Sequence, residues 1–299
     1  MSHSPVLPAW AESVDTSVVP LVVELVASDG SIQWMAASGF VVEAVDRWFW
    51  VTADHVFNGA KYGVTGFDTL DQFFQSIEAR LIPLGDRERK GVLARFDSEY
   101  VSSMPVFARR FAEAGLEKER AAFLATLDIA LFELSPYYRS NLEACGVVPL
   151  RSDQVYREYD NVFTEAMRKE MALGRFGFYV MGTPRTAYRD DGLGNLESVE
   201  VKRLPLQLLD YPGPELRFAP LWTDRSHVGS VRGMSGGPIF AIAGDHAYLF
   251  GVQSAEKICG GAVEYVTVAS AHFMFRVIEM VARELGRTDQ RNPAVLYEG

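Results

Sequence analysis

Three polar residues in this sequence stand in surroundings suited to chemistry. Ser235 lies in GMSGGPIF (233–240), among three glycines and just ahead of an apolar run. Glycine lets backbone come close to a neighbour and reach positive φ, so a serine in such a turn is either a turn residue or a presented hydroxyl. His55 ends VTADH (51–55), and Asp128 begins DIALFEL (128–134). A serine hydroxyl is a poor nucleophile until a base takes its proton. Histidine suits that task because its ordinary pKa lies near neutral. Each of these residues, taken alone, is more often a turn, loop or strand-edge residue. Their joint occurrence shifts the balance towards chemistry.

Such residues need elements to hold them. VVPLVVELVA (18–27) reads as a first strand, and residues 31–57 carry two or three more, with Gly39 just before FVVEAV. Asp46 and Arg47 make a tight polar turn into WFWVTA, which predicts a hairpin. Leu81–Ile82 and Val92–Phe96 are short strand candidates. From 104 to 127, Val106, Phe107, Phe111, Leu116 and Phe123 recur at helical spacing, split by Gly115, which predicts a helical insertion. LDIALFEL (127–134) is apolar on both faces until Glu133, the pattern of a buried strand. The stretch 152–174 carries the clearest helical stripe, Val155, Tyr159, Val162, Phe163, Ala166 and Met167, with Ser152 or Asp153 to cap it and Gly174 to end it. Strands follow at 176–184, 199–209, 216–222, 239–242, 247–255 and 263–270, the fourth and fifth forming a hairpin, and 271–287 closes as an amphipathic helix.

The segments T-A-x-H at His55, D-x-A-L at Asp128 and G-x-S-G-G-P at Ser235, in that order, resemble the trypsin/chymotrypsin-like serine peptidases. The resemblance covers residues 20 to 285, with insertions. It implies a chain dominated by β structure: two six-stranded antiparallel β-barrels with helical insertions and a C-terminal helix. The N-terminal barrel would take 18–150 with His55 and Asp128, and 151–174 would be a linking helix. The C-terminal barrel would take 175–270 with Ser235, and 271–287 the last helix. The site residues come with the resemblance. His55 would take the Ser235 proton and return it to the leaving amine, and Asp128 would hold the imidazole in the right tautomer. The backbone N–H groups of Gly233 and Ser235 would form the oxyanion hole. Gly229, six residues before the serine, would lie at the base of the pocket for the residue preceding the cut. Ser254 in GVQSAE would align the substrate backbone. Glu256 would fall on the pocket wall, where it could select a basic side chain; an exposed surface acid is the preferred reading. The activity implied is that of a serine endopeptidase acting on a protein or peptide through an acyl-enzyme, with no metal or cofactor. A regulatory protein partner would account for the helical insertions. The competing readings are a protease-fold binding module that no longer cuts and a protease that cuts its own chain once.

The sequence also departs from that pattern. In many relatives an aspartate precedes the serine and pairs with a newly cut N-terminus; here Met234 stands there, which cannot accept an ammonium. Activation by N-terminal cleavage is therefore not expected. Asp54 adds a carboxylate beside the base, and a solvent-facing position is expected for it. Asp97 in RFDSEY rivals Asp128 but lacks the buried strand after it. Among rival bases, His246 falls in a turn tip and should be exposed, His272 opens the last helix, and His227 lies eight residues before Ser235. G-M-S-G-G also fits the nucleophile elbow of α/β-hydrolases. That elbow needs a following helix with base and acid later in the chain, whereas Pro238 and a strand follow here.

Composition narrows the partners. Hydrophobic residues make up 48% of the 299, enough for a full core. The net charge of −10 argues against nucleic acid and anionic membranes, both of which need a basic face. No segment approaches the roughly 18 apolar residues of a membrane span, and the N-terminal residues lack the basic and apolar regions of a signal peptide. A cytoplasmic protein is the expectation. Two cysteines, Cys145 and Cys259, allow neither a metal-ligand pattern nor a disulfide framework, and both are expected to be buried thiols.

Overall fold

The runs of valine, isoleucine and aromatic residues fold as strands, in two groups that face each other across a shared core. The structure, a computed structural model, describes residues 14–26, 32–56, 78–83, 91–93, 101–103, 128–155, 165–184, 188–190, 196–199, 201–210, 216–221, 233–259 and 262–291. The expected helical insertion at 104–127 lies outside the described residues, as do Asp97, His227 and Gly229.

In the N-terminal group, β1 (Leu21–Val26), β2 (Ile32–Ala37), β5 (Glu78–Leu81) and β6 (Val92–Leu93) form one four-stranded sheet. A second holds β3 (Phe40–Ala44), β4 (Arg47–Thr52), β7 (Val101–Ser103) and β8 (Ala130–Leu134). The sheets are joined where Val18 bridges Phe40 and the Val19 N–H donates to the Gly39 carbonyl at 2.9 Å. Where a six-stranded barrel is expected, the described residues thus form two joined sheets. Residues 94–100, between β6 and β7, are not among them. The β3–β4 turn sits one residue earlier than expected, at Val45 and Asp46, both at positive φ (52° and 61°). That is the conformation a two-residue hairpin needs to match strand twist.

The C-terminal group is a closed barrel. Its six strands are β12 (Lys202–Leu208), β13 (Leu216–Pro220), β16 (Ala262–Ser270), β15 (His246–Cys259), β14 (Pro238–Ala243) and β9 (Phe176–Gly182), in that order around the ring. β10 (Tyr188–Asp190) and β11 (Leu196–Val199) form a separate hairpin. Closure pairs each of the six strands with a neighbour on both sides, although β15 runs on to Cys259, past the end of the β14 ladder at Val252.

Period-two patterns decide which face goes where. In β4, Trp48 and Trp50 enter the N-terminal core with Phe132 and Leu134 of β8, while Phe49 and Val51 face the other way. In β14, Ile239, Ala241 and Ala243 fill the barrel with Phe178 and Phe218, while Phe240 and Ile242 face outwards. The outward faces of both groups meet in one shared core. It is completed by Met274, Phe275, Val277, Ile278, Val281 and Ala282 of the last helix, Ala271–Arg291. This is why β4, β8 and β14 are apolar on both faces. Each such side chain, fully buried, contributes about 1.5–3 kcal/mol.

One helical expectation changes, and one helix appears that was not expected. The stretch from 152 begins as a single 3-10 turn, Ser152–Gln154, after which Val155 is extended and bridges Leu249 of β15. Val155 thus serves the shared core instead of a helix face. The described helix there is Glu165–Ala172, and Gly174 ends it at φ 67°, as expected of a glycine cap. A helix at Pro136–Ala144 follows β8 with proline in its first turn, a position proline tolerates because it needs no N–H there. Cys145, just after it, is half-buried and makes no disulfide, contrary to the expected buried thiol. No described helix is long and apolar enough to cross a membrane.

Candidate active site

β4 and β8 are antiparallel neighbours, with Thr52 paired to Ala130. The chain leaves β4 into Ala53 and a 3-10 turn, Asp54–Val56, while it enters β8 from Asp128 and Ile129. His55 and Asp128 therefore leave the same end of one strand pair, although 73 residues separate them. The Asp128 carboxylate accepts the His55 backbone N–H at Oδ1 (2.8 Å) and meets His55 Nδ1 through Oδ2 (2.7 Å). A carboxylate only accepts, so Nδ1 carries a hydrogen, and in the neutral imidazole Nε2 then keeps its lone pair. The Ser254 hydroxyl donates to the same Oδ2 at 2.7 Å. Three donors from two segments, two on His55 and one on Ser254, thus fix the carboxylate of Asp128, a residue 8% exposed.

The Ser235 turn approaches from the barrel side. Gly233 and Gly236 stand at φ 91° and 86°. The turn is tied to β15 by Gly236 N–H to the Gln253 carbonyl (2.8 Å) and Gln253 N–H to the Gly237 carbonyl (2.9 Å). It closes on itself through Gly237 N–H to the Met234 carbonyl (2.8 Å). Met234 is fully buried in the barrel core, so an apolar anchor stands where an aspartate would seek an ammonium. Gly236 meets the histidine segment directly. A Cβ there would lie 2.1 Å from Thr52 Oγ1, 2.5 Å from the Ser38 carbonyl oxygen and 2.7 Å from the Ala53 nitrogen. The structure thus joins His55 to Asp128 by hydrogen bonds and packs the backbone of Gly236, the residue after the half-buried Ser235, against Thr52 and Ala53 of the His55 segment. The N–H groups of Gly233 and Ser235 bond to no described residue.

The other expected residues divide. Ser254 and Ala255 bulge out of the β15–β16 ladder between the Gln253–Val268 and Glu256–Val266 pairs. On the opposite side of β15, the β14 ladder ends at Pro238 against Val252. No described strand pairs with β15 on that side beyond it, so among the described residues the backbone from Ser254 onwards is an unpaired edge. Glu256 lies in β15. His246 is exposed at the start of β15, as expected, and His272 is the second residue of the last helix. Asp54 overturns its expectation: it is fully buried, because the turn after β4 folds it inwards.

Two contacts at the candidate site escape a reading of the sequence. One is Ser254 to Asp128, across 126 residues. The other centres on Ser38, which is fully buried where β2 passes into β3. Its hydroxyl donates to the Gly233 carbonyl (3.0 Å) and accepts the Thr183 N–H (2.8 Å), while its carbonyl accepts the Thr52 hydroxyl (2.7 Å). The signal present in the sequence is a hydroxyl residue before Gly39, between two apolar strands.

No protein-family model and no curated protein matches the chain. Among the solved structures to which the chain is similar are several serine proteases. A thermostable serine protease, AL20, from an extremophilic microorganism is 13% identical, with 90% of this chain and 98% of that one covered at a TM-score of 0.48. The inactive form of the Rv3671c protease of M. tuberculosis is 15% identical over 90% and 92% of the two chains, at 0.38. The HtrA-type protease AlgW with a decapeptide is 11% identical over 93% and 68%, at 0.43.

Proposed function

We propose that the protein is a serine endopeptidase that uses Ser235, His55 and Asp128. The observation that carries this reading is the pair of contacts Asp128 makes with His55, with the Ser235 turn packed against Thr52 and Ala53. In this mechanism His55 Nε2 takes the hydroxyl proton as Ser235 Oγ attacks the scissile carbonyl carbon. The carbonyl oxygen becomes an oxyanion, received by the N–H groups of Gly233 and Ser235. One such donor is typically worth about 3 kcal/mol of transition-state stabilisation. The tetrahedral species collapses as His55 returns the proton to the leaving amine nitrogen and the C–N bond breaks. Water then attacks the acyl-enzyme, giving its proton to His55, and Ser235 leaves with that proton. Throughout, Asp128 holds the Nδ1 hydrogen and balances the imidazolium charge. The edge of β15 from Ser254 onwards, unpaired among the described residues, suits an extended peptide that adds as a strand.

A fluorophosphonate probe tests the proposal. The wild-type protein should be labelled at one residue, and Ser235→Ala should lose all labelling while keeping its thermal melt. A folded wild-type protein that takes no label, with peptide and protein candidates for activation present, overturns it in favour of a binding module.

A further inference from the structure

We infer that Ser38 is a positioning residue for the nucleophile turn, holding the Gly233–Met234 peptide in its working orientation from the opposite half of the molecule. The inference rests on the peptidase reading above. A serine hydroxyl has one hydrogen to give. Because Thr183 N–H already donates to Ser38 Oγ (2.8 Å), that hydrogen goes to the Gly233 carbonyl (3.0 Å). In a trans peptide the carbonyl and the following N–H point in opposite directions, so this bond sets the plane of the peptide that follows Gly233. The N–H of Gly233 lies across its own Cα from that peptide and is related to it by the two backbone torsions of Gly233, of which φ is 91°.

Other polar groups of the turn, at Gly236, Gly237 and Met234, are tied to the barrel or to the turn itself. Ser38 adds the hydrogen bond from the other half. Its own position is fixed in turn, since the Thr52 hydroxyl holds its carbonyl (2.7 Å) and Thr52 lies three residues before His55. One residue therefore links the base segment, the end of β9 and the glycine expected to supply an oxyanion donor. Burial keeps water from replacing the lost bond, as Ser38 is fully buried. There is also little room for rearrangement. A Cβ on Gly182 would lie 2.5 Å from Ser38 Oγ, and one on Gly236 would lie 2.5 Å from its carbonyl oxygen.

Ser38→Ala removes the donor and leaves the Gly233 carbonyl free to turn. The expected result is a fall in kcat of about tenfold or more with KM close to wild type, and a matching fall in the fluorophosphonate labelling rate. Ser17→Ala is the control. Ser17 is equally buried and donates to the Val14 carbonyl (2.8 Å), away from the turn. It should lower the melting temperature yet label at the wild-type rate. Should Ser38→Ala not fold, Ser38→Cys carries the test, since a thiol is a weaker donor and should give a reduced rate. A folded Ser38→Ala, or in its place Ser38→Cys, that labels as fast as wild type overturns the inference. An unlabelled wild type would instead overturn the peptidase reading, so the two failures are distinct.

Discussion

The two sides of the candidate site are held by different means. His55 and Asp128 project from the end of a strand pair whose ladder and double-sided apolar packing fix them as a unit. Ser235 sits in a glycine turn held by backbone hydrogen bonds, one buried methionine and contact at the van der Waals limit. The base side is therefore a matter of side-chain chemistry on a sturdy frame. On the nucleophile side the frame itself is the delicate part. Changes that keep shape should damage function on the first side, and changes that add volume should damage folding on the second.

The largest effect expected from this contrast is on catalysis. Asp128→Asn keeps the shape but presents an amide where Nδ1–H and the Ser254 hydroxyl both need an acceptor. It should lower kcat by about 10⁴-fold while the protein still melts cooperatively. Steady-state kinetics on a cleaved peptide would measure it, and a loss below tenfold would remove Asp128 from the site.

Next comes a folding effect. Gly236→Ala drives a methyl into Thr52, Ser38 and Ala53 at a φ that disfavours side chains. A loss of about 3 kcal/mol or more is expected in urea denaturation. Gly146→Ala shares the positive φ (82°) but has nothing within 4 Å of the added carbon, so it should cost only about 1 kcal/mol. Equal losses would mean that φ matters and the contact between the halves does not.

The smallest effect tests the frame away from the site. Val45 is a β-branched residue at φ 52°, a poor choice for that turn position. Val45→Asn should stabilise by about 1 kcal/mol, seen as a higher melting temperature, with labelling by the probe unchanged. A lower melting temperature would show that the exposed valine has a packing role.

Much of the frame could be read directly. Most strands of both groups, the β14–β15 hairpin and the last helix follow from apolar periodicity within each segment, whereas β7, three residues long, is too short to show a period. The segment at 152 misled because Val155 satisfies a helical stripe and a strand-like bridge equally well, and only its partner Leu249 decides between them. The same holds for Asp54. Its type predicts exposure, but the turn that follows β4 carries it inwards.

By itself, the sequence specified three chemically apt segments, the period of most strands and the absence of an acceptor for an N-terminal ammonium at Met234. The tertiary structure alone decided that Ser254 serves Asp128, that Ser38 reaches Gly233 across 195 residues and that Met234 is an apolar anchor. The physical reason is range. Periodicity and turn chemistry act between residues a few positions apart, so the chain itself records them. A hydrogen bond between distant segments exists only once two packed halves have set their separation to a few tenths of an ångström.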